Sequence, residues 1–161
     1  MEVVAVIEVP RGSRNKYEAD HESGTIWLDR MLFTATQYPT DYGFIPDTLA
    51  GDGDPLDVLV LLDEPTFPGC HIHARPIGVL RLRDEKGQDD KVLCVPATDP
   101  RWAGYAEIGD VPGFLLDEIE HFFSVYKALE PGKDTEPGHW EDRAAAEVLI
   151  EAAFSAYVPH S

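Results

Sequence analysis

The sequence predicts an α+β domain in which a small antiparallel or barrel-like sheet comes first and two helices follow. Short runs of β-branched and aromatic residues, broken by Gly or Pro about every ten residues, fill the first two thirds of the chain. After Pro112 the apolar residues recur at helical rather than alternating spacing. Strands followed by helices, rather than strands alternating with them, disfavour a doubly wound parallel sheet.

The first strand is Val3 to Val9, which stops at Pro10-Arg11-Gly12. Thr25 to Thr34 follows a Glu22-Ser23-Gly24 turn, and Val58 to Leu62, Ile72 to Arg83 and Lys91 to Val95 continue the set to five or six strands. The polar segment from Arg83 to Lys91, with Gly87 at its centre, reads as a hairpin loop. Leu115, Ile119, Phe122, Tyr126 and Leu129 then mark one face of an amphipathic helix that Pro131-Gly132 terminates. A second helix fits Glu141 to Tyr157, with Ala145, Val148, Leu149, Ala152 and Ala156 on its stripe and acidic residues in its first turn.

At 161 residues the chain is read as one domain, 1–161, able to bury roughly 70% of the surface that its unfolded form exposes. Thirteen Lys and Arg against thirty Asp and Glu give a net charge of −17, which argues against nucleic acid or an anionic membrane as partner. An apolar content of 43% is too high for a disordered acidic chain. The first residues lack the basic start and small-residue cleavage site of a secretory leader, and the longest apolar run, Val58 to Leu62, falls far short of a membrane span. Cys70 and Cys94 lack CxxC spacing and read as free thiols in a reducing cytosol.

The densest chemistry lies in Asp52-Gly53-Asp54-Pro55-Leu56-Asp57, three carboxylates on a Gly/Pro loop that runs into an apolar strand. Like charges gather there at a cost unless a hard cation neutralises them, and oxygen-only donors select Mg²⁺, Mn²⁺ or Ca²⁺. A solvated acidic turn is the plain alternative. An EF-hand loop fails, because its sixth position, here Asp57, must be Gly and its twelfth, here Asp63, must be Glu. A second group, Asp84, Glu85, Asp89 and Asp90, brackets the Gly87 turn. If both groups face one cavity, five or more carboxylates suit two or more divalent ions. Lys16, Arg30, Lys91 and Lys127 become candidate phosphate ligands in such a cluster, and ordinary surface charges otherwise. Cys70, His71 and His73 offer only two good ligands on one strand face, an incomplete zinc site.

The run Asp52 to Val58 resembles the signature of the soluble family I inorganic pyrophosphatases. The likeness continues in order through Ile7-Glu8-Val9-Pro10, Lys16-Tyr17-Glu18, Leu28-Asp29-Arg30, Tyr38-Pro39-Thr40-Asp41-Tyr42-Gly43, Arg75-Pro76-Ile77-Gly78-Val79, Asp84-Glu85, Asp89-Asp90-Lys91 and His121 to Lys127, covering about Val3 to Lys133. This resemblance implies a five-stranded OB-type β-barrel flanked by two helices. It also implies that Asp52, Asp57 and Asp89 hold a first Mg²⁺ ion, with Asp57 shared by a second, while Asp84 and Glu18 help to hold the ions that arrive with substrate. Mn²⁺ is a possible substitute.

Glu8 resembles the family's outer-shell acid and Asp54 the carboxylate that takes a proton from the attacking water. Lys16, Arg30, Tyr42, Lys91, Tyr126 and Lys127 match the groups around the two phosphates, with Tyr38 in support. The implied activity is hydrolysis of pyrophosphate to two phosphates by a cytoplasmic homohexamer. A non-catalytic divalent-metal-binding structural or regulatory module of the same fold is the alternative. A hydrolase of nucleotides would need an apolar or aromatic lining that the matched residues do not offer. Two features depart from the pattern or stand outside it. Asp134 to His139 is more acidic and turn-like than the family's sequence, which weakens Lys133 as a site residue, and His21 reads as a surface histidine or a contact at the cavity edge.

Overall fold

The computed structural model describes residues 1–159. Eight strands precede the first helix: β1 (Val3–Val9), β2 (Asn15–Ala19), β3 (Ile26–Met31), β4 (Asp41–Phe44), β5 (Asp57–Val60), β6 (His71–Asp84), β7 (Gly87–Gln88) and β8 (Lys91–Pro96). Helix α1 (Gly113–Val125) is followed by strand β9 (Thr135–Asp142), which leads directly into helix α2 (Arg143–Ala156). Strands pair in the order β1-β4-β5-β8-β6, and β6 also pairs with β1, so five strands close into a ring. The two helices flank it, as the resemblance implies. β7 and β9 pair with β6 beyond the ring, and β2 and β3 form a separate hairpin.

The ring bears out the barrel-like form of the expected sheet, and the sheet is mixed rather than wholly antiparallel, because β5 and β8 run parallel, with Asp57 opposite Lys91 and Val60 opposite Cys94. Their sequences show the physical reason. Val58 and Val60 of β5 and Val92 and Cys94 of β8 enter one apolar cluster, while Leu59, Leu61, Leu93 and Val95 enter another. Both faces are therefore buried, and the strands read as unbroken apolar runs. Helix α1 covers the second cluster with Ile119, Phe122 and Phe123, and α2 covers the first with Ala146, Ile150 and Ala153. Each large side chain buried in this way stabilises the fold by about 1.5–3 kcal/mol.

Helix α1 ends at Val125, four residues before the predicted Leu129, because the chain tightens there into three-residue turns: the N–H of Ala128 donates to Val125 and that of Glu130 to Lys127. Leu129 is consequently exposed rather than part of the apolar stripe. The second helix starts at Arg143, and the predicted acidic first turn is absent. Asp142 instead caps the helix, its side chain accepting the N–H of Ala145 at 3.0 Å, and Glu141 belongs to β9. The turn-like stretch after Asp134 is largely strand, with Pro137 and Gly138 tolerated because β9 pairs only with β6.

Among the described residues no helix is long and apolar enough to cross a membrane. Cys70 and Cys94 are both free.

Candidate active site

The loop between β4 and β5 is wound tightly enough to aim its acids at one place. Gly53 has φ of 89°, a left-handed conformation that favours glycine. The N–H of Ala50 donates to the Asp54 carbonyl and that of Asp54 to the Asp52 carboxylate. Thr48 ties the loop's two ends, accepting from the Leu56 N–H and donating to the Ile45 carbonyl. Asp57 then opens β5 directly beside Lys91, the first residue of β8. On the other side of the site, Asp84 ends β6, and the turn through Gly87, with φ of 109°, returns the chain to Asp89.

These segments meet in one cavity of about 330 Å³. Asp52, Asp54 and Asp57 line it, as do Asp84 and Asp89, so the two acidic groups share a single basin. Lys91, two residues after Asp89, joins them, and Glu8, Lys16, Glu18, Arg30, Tyr42, Tyr126 and Lys127 add to the wall from five other stretches of chain. Tyr38 is the one candidate outside the lining. It lies 1% exposed behind the wall, its ring packed on Tyr42, Phe122, Phe123 and Tyr126. Lys133 and His21 also reach the cavity, and the His21 ring meets Phe44 edge-on at 4.7 Å.

Lys91 is the buried centre of the charge network. Its Nζ lies 2.7 Å from Asp57 Oδ2, 3.0 Å from Asp89 Oδ1 and 3.3 Å from the Tyr42 hydroxyl, over the faces of Tyr42 and Phe123. One ammonium cannot neutralise two carboxylates. Burial, opposed by Lys91 and reinforced by Asp89, pushes the Asp57 carboxyl up, while Lys91 outweighs burial at Asp89 and holds that group down. Asp52 is likewise raised by burial and by the nearby Asp54 and Asp89. Lys127 Nζ bridges Asp84 Oδ2 at 2.9 Å and Glu85 Oε2 at 3.3 Å, and these partners together with Tyr126 keep it charged in spite of burial. Burial pushes the hydroxyls of Tyr42 and Tyr126 up, which keeps them as proton donors.

As placed, no three acid, His or Cys side chains among the described residues are arranged to hold a metal ion directly. The donor set nevertheless fits hard divalent cations in its chemistry. It is all oxygen, and its paired carboxylates stay short of positive charge even with Lys91 between them.

The inorganic pyrophosphatase family model matches residues 5–158, nearly the whole chain. The chain belongs to the inorganic pyrophosphatase family. An inorganic pyrophosphatase of Streptomyces coelicolor is 59% identical over 157 residues, 98% of this chain and 96% of its own length. One from Leifsonia xyli is 55% identical over 150 residues, covering 93% and 92%. The crystal structure of the Thermus thermophilus inorganic pyrophosphatase superposes with a TM-score of 0.94 at 52% identity, over 97% of this chain and 91% of that one.

In this member of the pyrophosphatase family three acids to which the sequence assigns no site role organise the cations. Asp29 Oδ2 accepts from Lys16 Nζ at 2.9 Å and also pairs with Arg30. Glu85 holds Lys127 and, at 3.5 Å, Lys133; burial works against its charge, but backbone N–H groups and Lys127 bring its carboxyl down to about 2. Glu130 pairs with Arg30 at 2.7 Å. The motifs containing Asp29 and Glu85 are visible in the sequence, but which cation each acid faces is fixed only by the tertiary fold.

Proposed function

We propose that this chain hydrolyses inorganic pyrophosphate to two orthophosphates in the cavity between the two acidic groups. The reading is supported above all by the convergence of every candidate except Tyr38 on one basin, in a chain that belongs to the inorganic pyrophosphatase family. In this proposal Asp52, Asp57 and Asp89, with Asp84 and Glu18, hold Mg²⁺ ions, Mn²⁺ being a substitute, and Glu8 supports them from behind. Such ions, when bound, neutralise the diphosphate and lower the pKa of water.

The remaining steps belong to the chain itself. Asp54, exposed at the loop tip, orients the attacking water and accepts its proton. Arg30, Lys16, Lys91 and Lys127, with the hydroxyls of Tyr42 and Tyr126, bind phosphate oxygens and stabilise charge on the leaving phosphate. No residue need form a covalent intermediate. Tyr38 stiffens the aromatic layer behind Tyr42 and Tyr126.

Phosphate release from pyrophosphate with Mg²⁺ present, and its loss on chelation, is the test; turnover indifferent to chelation overturns the mechanism. Asp54→Asn is expected to lower kcat by about 10²–10⁴. Calorimetric Mg²⁺ binding with no turnover would identify the non-catalytic module instead. We further propose that the whole chain acts as one domain and that it resides in the cytoplasm, consistent with its two free thiols. A homohexamer is proposed as the assembly, supported by exposed apolar residues such as Phe114, Val148 and Phe154 on the helices.

A further inference from the structure

Glu130 is a buried carboxylate, 7% exposed, in the turns that follow α1. Its Oε1 lies 2.7 Å from Arg30 Nη2, while its Oε2 is buried without a partner. A half-satisfied buried acid costs stability and calls for a reason other than packing. The reason lies in what it joins. Arg30 belongs to the β2–β3 hairpin, outside the strand ring, which also carries Lys16 and Glu18 into the cavity. The Glu130 N–H donates to the Lys127 carbonyl and its own carbonyl accepts from Lys133, so the acid is built into the segment that presents both lysines. The Arg30–Glu130 pair therefore fastens one wall of the cavity to another.

The guanidinium is gripped at both ends, Nη1 by Asp29 and Nη2 by Glu130, while Nε is buried with no partner. A planar fork held at two corners has one orientation, with its remaining N–H groups unspent. We propose that Glu130 is a positioning residue: it fixes the Arg30 guanidinium at the orientation in which it binds a phosphate of the substrate. This inference rests on reading the cavity as the pyrophosphate site.

The test is a double-mutant cycle of Glu130→Gln and Arg30→Met, read as kcat/KM for pyrophosphate and as calorimetric affinity for inorganic phosphate, at fixed Mg²⁺, with folding checked by circular dichroism. Glu130→Gln is expected to lower kcat/KM about tenfold and to weaken phosphate binding in the wild-type background, since small displacements of a binding group carry losses of this order. In the Arg30→Met background it is expected to change neither by more than about twofold, because nothing is left to position. An unaffected Glu130→Gln protein, or equal losses in both backgrounds, overturns the proposal. If Glu130→Gln does not fold, Glu130→Asp, one methylene shorter, takes its place in the cycle with the same outcomes. A wild-type chain without pyrophosphate turnover would refute the proposed function, whereas the phosphate titrations would still decide the role of Glu130.

Discussion

Glu8 carries a charge that its surroundings resist. Burial pushes its carboxyl up to about 7, although the Ala19 N–H at 2.7 Å and Lys16 oppose the shift. A carboxyl with a raised folded-state pKa stabilises the fold below its ordinary range, and that stabilisation is lost as pH rises to the folded value. With Mg²⁺ chelated, Glu8 is therefore expected to contribute a fall of about 3 kcal/mol in unfolding free energy between pH 4.5 and 7, within a total that also includes the raised Asp57. Glu8→Gln should flatten this dependence in urea titrations, and an unchanged slope would assign it to other groups. The same scale shows which site residues a sequence reveals. Asp52, Asp54 and Asp57 stand out because three acids on one short loop need an explanation from the sequence alone. Asp29, Glu85 and Glu130 do not, because each matters through a cation 13, 42 or 100 positions away (Lys16, Lys127 and Arg30 respectively).

Among the elements, β4 depends most on a single residue. A Cβ at Gly43 would lie 1.8 Å from the Val6 carbonyl oxygen of β1, so only glycine lets the two strands pair. Gly43→Ala is expected to cost about 3 kcal/mol or more, since the obstruction is backbone and cannot swing aside. Gly51→Ala, which would meet only the Gln88 side chain at 3.9 Å, is the control and should shift the urea midpoint little. The strands the sequence leaves undeclared share one trait. Asp41-Tyr42-Gly43-Phe44 and Asn15 to Ala19 are poor in β-branched residues because Lys16, Glu18 and Tyr42 serve the cavity instead of the core. In β9, Gly138 is demanded by the close approach of the Arg81 carbonyl, 2.7 Å from where a Cβ would stand. The strands β1, β5, β6 and β8 are legible from apolar runs because their side chains do fill the core.

Over the whole molecule, the charge of −17 means that any cation the cavity binds would stabilise the fold as well as serve the proposed reaction. Mg²⁺ at a hundredfold excess over its dissociation constant would add about 2.7 kcal/mol by mass action on the folded state. Adding chelator is accordingly expected to lower Tm, and a Tm indifferent to Mg²⁺ would count against the cavity as a cation site. The strand ring has a consequence for biosynthesis. β1 finds its first neighbour in residues 41–44, but its other edge waits for residues 71–74, and β5 stays open on one side until residues 91–94 arrive. A ribosome-bound chain ending before that point carries sticky, unsatisfied borders that invite pairing with a nascent neighbour. Release of the last ring strand thus seals these borders, and the apolar faces stay bare until α1 and α2 emerge to cover them.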